Sequence, residues 1–189
     1  MTPAAMLDGA YPDPMTNDPD LRALVRDIPG FPEPGILFRD ITPLLSDPAA
    51  FAFVLDRMAE YASSRSPDAI VGIESRGFLF GTPLASRLGL PFVPVRKPGK
   101  LPAARMSVEY SLEYGSGQLD IHADALTPGQ TVVIVDDLLA TGGTAAGAAK
   151  LVELLQAKVA GIAFLIELKG LRGRARLDGY DIFSMIQYD

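Results

Sequence analysis

The chain has 189 residues, 48% of them hydrophobic and 21% charged, with a formal net charge of −6; that length lets one domain bury its own core without covalent staples. It contains no cysteine, which excludes disulfides, thiolate catalysis and cysteine-based zinc sites and points to a cytoplasmic address. The acidic balance argues against nucleic acid as a partner, and no apolar run nears the roughly 18 residues that cross a bilayer, so no membrane partner is expected.

Residues 1–18 are acidic and proline-rich and lack the basic-then-apolar order of a secretory signal. They are expected to be a flexible tail ahead of a single domain over 19–189. Residues 19–28 form a short helix candidate with Leu21, Leu24 and Val25 on one side. Residues 28–45 crowd proline and glycine around two apolar patches, which suggests an ordered loop rather than regular structure. Asp47 reads as an N-cap with Pro48 at the first helical position. Phe51, Val54, Leu55, Met58 and Tyr61 follow at helical spacing. Residues 69–73 predict a buried strand that ends in Glu74, Ser75, Arg76 and Gly77. A helix over 78–88 is expected to be interrupted near Pro83. Residues 91–95 predict a second strand, which delivers RKPGKLPAAR (96–105), a loop with four bases and no acids. Such a loop is either a solvated basic surface or a holder of polyphosphate. Residues 106–122 read as a hairpin or mobile flap, and 124–129 as a turn. The last strands are expected over 162–168 and 181–188, and no repeat or domain boundary is evident. Strands alternating with helices imply an α/β fold with a mostly parallel central sheet flanked by helices.

The most informative stretch is TVVIVDDLLATGGTAAG, residues 131–147. The unalternating apolar run 132–135 suits a strand buried on both faces of a parallel sheet. Asp136 and Asp137 then emerge at its carboxyl end, the edge where open α/β sheets bind ligands. Thr141, Gly142, Gly143 and Thr144 form a turn whose backbone N–H groups can approach an anion. The following helix, over 145–156 with Ala148, Leu151, Val152 and Leu155 on one face, adds the positive end of its dipole. The carboxylates would repel a phosphate but can accept hydrogen bonds from neutral hydroxyls. A ribose 5-phosphate has both kinds of group. The G-x-G-x-x-G spacing of a dinucleotide site is not met.

This string resembles the phosphoribosyl diphosphate signature of the type I phosphoribosyltransferases. With FPEPGILFRD (31–40), ESRGFLFG (74–81), VPVRKPGKLP (93–102) and YSLEYG (110–115), the chain is similar from about Ile28 onward to the adenine phosphoribosyltransferase family. The resemblance implies the type I fold with a small base-binding hood and a mobile flap. It also implies formation of AMP and diphosphate from adenine and phosphoribosyl diphosphate, with Mg2+ bound mainly through that donor and no fixed protein metal site, commonly in a homodimer.

Each matching string implies a role. Ala140, Thr141, Gly142, Gly143 and Thr144 would hold the 5-phosphate, and Asp136 with Asp137 the ribose hydroxyls. Ser75 and Arg76 would sit in the diphosphate loop, after a non-proline cis peptide, with Arg76 counted among the catalytic residues. Arg96, Lys97 and Lys100 would contact diphosphate, some of them across the dimer interface. Leu37, Phe38 and Arg39, with Leu168 closing the pocket, would face the base. Glu113 corresponds to the flap glutamate that approaches the purine, where a desolvated carboxylate can take the N9 proton, and Tyr114 would help close the site. His122, the one histidine, is read as a surface or packing residue. A regulator that keeps this fold to sense phosphoribosyl diphosphate is the second reading, and the same enzyme acting on xanthine, hypoxanthine or orotate is the third. The absence of a basic or helix-turn-helix-like segment before Ile28 disfavours the regulator.

Overall fold

The structure, a computed structural model, describes residues 19–111 and 116–189. It forms two compact units that divide between Ala50 and Phe51. In the first, the expected helix over 19–28 is a correction: only a single 3-10 turn, Leu21–Leu24, forms. Asp20 accepts hydrogen bonds from the backbone N–H groups of Arg22 and Ala23. Val25 is already extended. The chain then enters β1 (Arg26–Pro29), which pairs antiparallel with β2 (Leu37–Asp40). The proline-rich segment is therefore a hairpin rather than an irregular loop, a second correction. Its register sets Arg26 opposite Asp40 and Asp27 opposite Arg39, and both pairs form salt bridges. Opposite charges facing across strands stabilise a short hairpin whose own propensity is weak. A one-turn helix, α1 (Thr42–Leu45), follows.

Helix α2 (Pro48–Ser63) comes next in the chain. Asp47 caps it, accepting from the amides of Ala49 and Ala50 at 3.0 Å, as its Asp-Pro start predicts. The second unit continues with β3 (Ala69–Ile73), α3 (Gly77–Leu88), β4 (Phe92–Val95), β5 (Arg105–Ser111), β6 (Ser116–His122), β7 (Thr131–Leu139), α4 (Gly143–Leu154), β8 (Lys158–Leu168) and β9 (Ile182–Tyr188). Its sheet has five strands in the order β4-β3-β7-β8-β9, all parallel. Strand β3 is buried at every position, which is why its residues show no polar alternation.

Helix α3 is continuous through Pro83, not interrupted there. Proline removes the bond to the carbonyl of residue 79, and Leu79 is an exposed position where water can replace the missing donor. Strands β5 and β6 form an antiparallel hairpin. Strand β7 reaches beyond the expected apolar run to Leu139, so both aspartates stand within it. No helix among the described residues is long and apolar enough to cross a membrane.

Candidate active site

Strand β7 occupies the middle of the sheet and carries Asp136 and Asp137 near its carboxyl end. Asp137 is buried, and the Nε of Arg76 lies 3.0 Å from its Oδ2. Asp136 is partly buried, and its Oδ1 accepts from the Asp137 amide at 2.9 Å. Arg76 reaches the pair because the segment between β3 and α3 presses directly onto β7. A Cβ on Gly77 would lie 2.6 Å from the Val135 carbonyl oxygen and 3.1 Å from Asp136 Oδ1, so no larger residue fits that approach. Burial, with the Asp137 charge beside it, pushes the Asp136 carboxyl well above the usual carboxylate range. Burial raises Asp137 as well, against the pull of Arg76. The pair therefore holds a proton more readily than a free aspartate, and it presents oxygen atoms suited to hydroxyl partners.

After Leu139 the chain turns through Ala140, Thr141 and Gly142 into α4. Gly142 has φ 81°, the left-handed region that glycine adopts without steric cost. Helix α4 starts at Gly143 with no acidic residue in its first turn and no side-chain cap at its start. The amides of its first turn thus face the turn with the positive end of the helix behind them. Thr141 and Thr144 are part-exposed and add hydroxyl donors beside these amides.

Glu74 and Ser75 are joined by a cis peptide, at the bond where the resemblance implies one. Ser75 is exposed. Glu74 faces the basic loop: its Oε2 accepts from Arg96 Nε at 3.2 Å and from the Lys97 amide at 2.9 Å. Burial works to raise the Glu74 carboxyl, but these donors outweigh it and hold it below the usual range. Arg96 also donates to the Lys100 carbonyl, while the side chains of Lys97 and Lys100 are exposed. Buried Asp120 holds the same loop from the hairpin side. Its backbone exchanges hydrogen bonds with that of Arg96, and its Oδ1 accepts from Ser107 and Gln118.

The predicted residues thus fall into groups. Arg76, Asp136 and Asp137 lie together, Ala140 to Thr144 follow directly as the turn from β7 into α4, and Arg96 and Lys97 meet Glu74. Leu168 ends β8, paired with Tyr188 of β9. Leu37, Phe38 and Arg39 stand in the other unit, on β2, where Phe38 meets Phe31 edge-on at 5.1 Å between ring centroids and Arg39 bonds Asp27. Glu113 and Tyr114 lie outside the described residues.

One group escaped the sequence reading. Buried Glu167 binds Arg174 through both carboxylate oxygens at 2.7 Å, and Gly173 packs on the Ala140–Gly142 turn. A lone acid in the apolar run IAFLIEL was the signal available.

Paired aspartates on the central parallel strand, running into a glycine turn at a helix start, define a phosphoribosyl-handling transferase, and the model of the phosphoribosyl transferase domain matches residues 44–188. The chain is 59% identical over 170 residues to an adenine phosphoribosyltransferase of Synechococcus sp., covering 90% of this chain and 99% of that protein. It resembles the crystal structure of the adenine phosphoribosyltransferase of Thermoanaerobacter pseudethanolicus with a TM-score of 0.88 and 55% identity, over 91% of this chain and all of that one. The Saccharomyces cerevisiae enzyme, solved with an imino-altritol bisphosphate and adenine, matches at a TM-score of 0.82 and 43% identity, over 87% and 95% of the two chains. The chain belongs to the adenine phosphoribosyltransferase family.

Proposed function

We propose that this enzyme, a pentosyltransferase of purine salvage, transfers the 5-phosphoribosyl group of 5-phosphoribosyl 1-diphosphate to adenine, giving AMP and diphosphate. The observation that carries the reading is the Arg76–Asp137–Asp136 set on β7 leading into the Gly142 turn at the start of α4. In this reading the amides after Gly142 and the Thr141 and Thr144 hydroxyls bind the 5-phosphate. Asp136 and Asp137 accept hydrogen bonds from the ribose hydroxyls, and Arg76 holds the second carboxylate in place. Ser75, Arg96, Lys97 and Lys100 bind the diphosphate. Arg96 would exchange its Glu74 partner for the incoming anion.

Leu37, Phe38, Arg39 and Leu168 contact adenine, whose uncharged faces suit apolar neighbours. As N9 of the base attacks the anomeric carbon, the bond to diphosphate breaks and the N9 proton passes to Glu113. Tyr114 helps exclude water that would otherwise capture the same carbon. Arg76 already occupies one Asp137 oxygen. These residues fit a cation held by the donor's own oxygens and water, as Mg2+ prefers. Bound in that way, Mg2+ would supply the positive charge that offsets the leaving diphosphate. A homodimer and a cytoplasmic address, supported by the resemblance and the composition, complete the proposal, with residues 19–189 acting as one catalytic domain.

The test is a turnover assay with labelled adenine and phosphoribosyl diphosphate, followed by competition among adenine, hypoxanthine, xanthine and orotate at equal concentration. Labelled AMP and diphosphate in equal amounts, with adenine preferred, are expected; absence of AMP rejects the reading. Glu113→Ala is expected to lower kcat by about 10²–10⁴-fold with the donor KM little changed. Unchanged turnover would remove Glu113 from the mechanism.

A further inference from the structure

The connection from β8 to β9 contains no α-helix. It consists of two 3-10 turns, Lys169–Leu171 and Gly173–Leu177, which bring Gly173 against the turn after β7 before the chain returns to start β9 beside Ile162. Strand register places Glu167 beside Leu139, the last residue before the phosphate turn, and beside Gln187 on its other flank. Arg174 grips Glu167 in a two-pronged fork, Nε to Oε1 and Nη2 to Oε2, both at 2.7 Å. A third contact runs from Arg174 Nη1 to the Ile182 carbonyl at 3.3 Å. Ser184 donates to the same carboxylate at 2.6 Å. Glu167 is 4% exposed, and the Arg174 and Ser184 donors hold its carboxyl below the usual range. A planar fork of this kind fixes both position and orientation of the guanidinium.

What the fork fixes is the residue before it. Gly173 is buried, and its carbonyl oxygen would lie 2.4 Å from a Cβ on Gly142. In the other direction, a Cβ on Gly173 would lie 2.3 Å from the Ala140 carbonyl oxygen and 2.8 Å from Leu139 Cδ1. The two carbonyl clashes are with backbone, which cannot swing aside as a side-chain tip can. Leu177, 1% exposed, anchors the far end of the turn in the core.

We infer that Gly173, held by the Arg174–Glu167 fork, is the buttress that sets the position of the phosphate turn Ala140–Thr144, making Arg174 and Glu167 positioning residues for the donor's 5-phosphate. The inference rests on the phosphate role proposed above for that turn. Backbone amides bind phosphate well only when held in place beforehand, because a donor geometry that must be reorganised on binding loses affinity.

The experiment compares wild type with Gly173→Ala, Arg174→Lys and Arg174→Ala, reading inhibition by ribose 5-phosphate, which carries the phosphate and sugar hydroxyls, against inhibition by diphosphate, which does not. For Gly173→Ala, ribose 5-phosphate is expected to bind about tenfold more weakly and the donor KM to rise by a similar factor, while diphosphate binding and kcat at saturation stay within about twofold. Arg174→Ala should behave alike, and Arg174→Lys, which keeps the charge but loses the fork, should fall between it and wild type. If Gly173→Ala does not fold, the two Arg174 variants decide. Folded variants with unchanged ribose 5-phosphate binding overturn the buttress, as does an equal weakening of both inhibitors. Loss of AMP formation by wild type itself would instead reject the proposed function, so the two failures are distinguishable.

Discussion

At the scale of single residues, Asp136 shows a conflict between stability and use. Burial and the neighbouring Asp137 raise its carboxyl above the ordinary value, so the folded state takes up a proton more readily than the unfolded chain does. Stability must then fall as pH rises from the unfolded value of Asp136 through its folded one. Asp136→Asn keeps an oxygen to accept the Asp137 amide but removes the titration. It is expected to raise Tm by about 2–4 °C at neutral pH, with the gain vanishing near pH 3–4, while AMP formation collapses. An equal Tm for both proteins at pH 7 would show that the carboxylate pair costs the fold nothing. Asp136 and Asp137 were legible in the sequence because a charged pair ending an apolar strand has few structural uses. Arg174 was not, because it lies seven residues from its partner and nothing in GLRGRARL distinguishes it from the neighbouring arginines.

At the scale of elements, local structure is legible in the sequence where burial is uniform and is not where strand pairing decides. Strand β3 was read to the residue because its five positions are all buried. The β1–β2 hairpin was missed because neither short strand alternates and its turn is built of prolines; only the cross-strand charges Arg26–Asp40 and Asp27–Arg39 justify it. Helix α3 was expected to break at Pro83, yet its docking does not depend on that one bond. The contact that does matter is at its start, where Gly77 meets the Val135 carbonyl. Gly77→Ala must push α3 away from β7, a form of overpacking that costs about 1–3 kcal/mol. Urea unfolding should report a loss in that range, and Arg76 should lose its reach to Asp137. A variant as stable and active as wild type would mean that α3 can shift without penalty.

At the scale of the whole molecule, pH acts on the ion pair that ties β8 to the 3-10 turn of residues 173–177. The Arg174 and Ser184 donors hold the Glu167 carboxyl below its unfolded value. It therefore adds stability that is present above the ordinary carboxylate range and lost as pH falls through the folded value. Glu167→Gln is expected to cost about 1–3 kcal/mol at pH 7, with Arg174 half exposed and partly screened. The gap between the two proteins should close below about pH 4 in urea titrations; a gap independent of pH would assign the loss to packing instead. The parallel pairing of the same sheet also governs how it opens. Because each of its five strands joins its neighbours in parallel, none can be peeled off together with a sequence-adjacent partner as a hairpin can. Amide protons of β3, β7 and β8 should accordingly exchange with solvent deuterium in one collective opening, at the free energy of global unfolding, whereas those of β5 and β6, which pair in their own antiparallel ladder and reach the end of β4 through the Arg96–Asp120 backbone bonds, should exchange sooner.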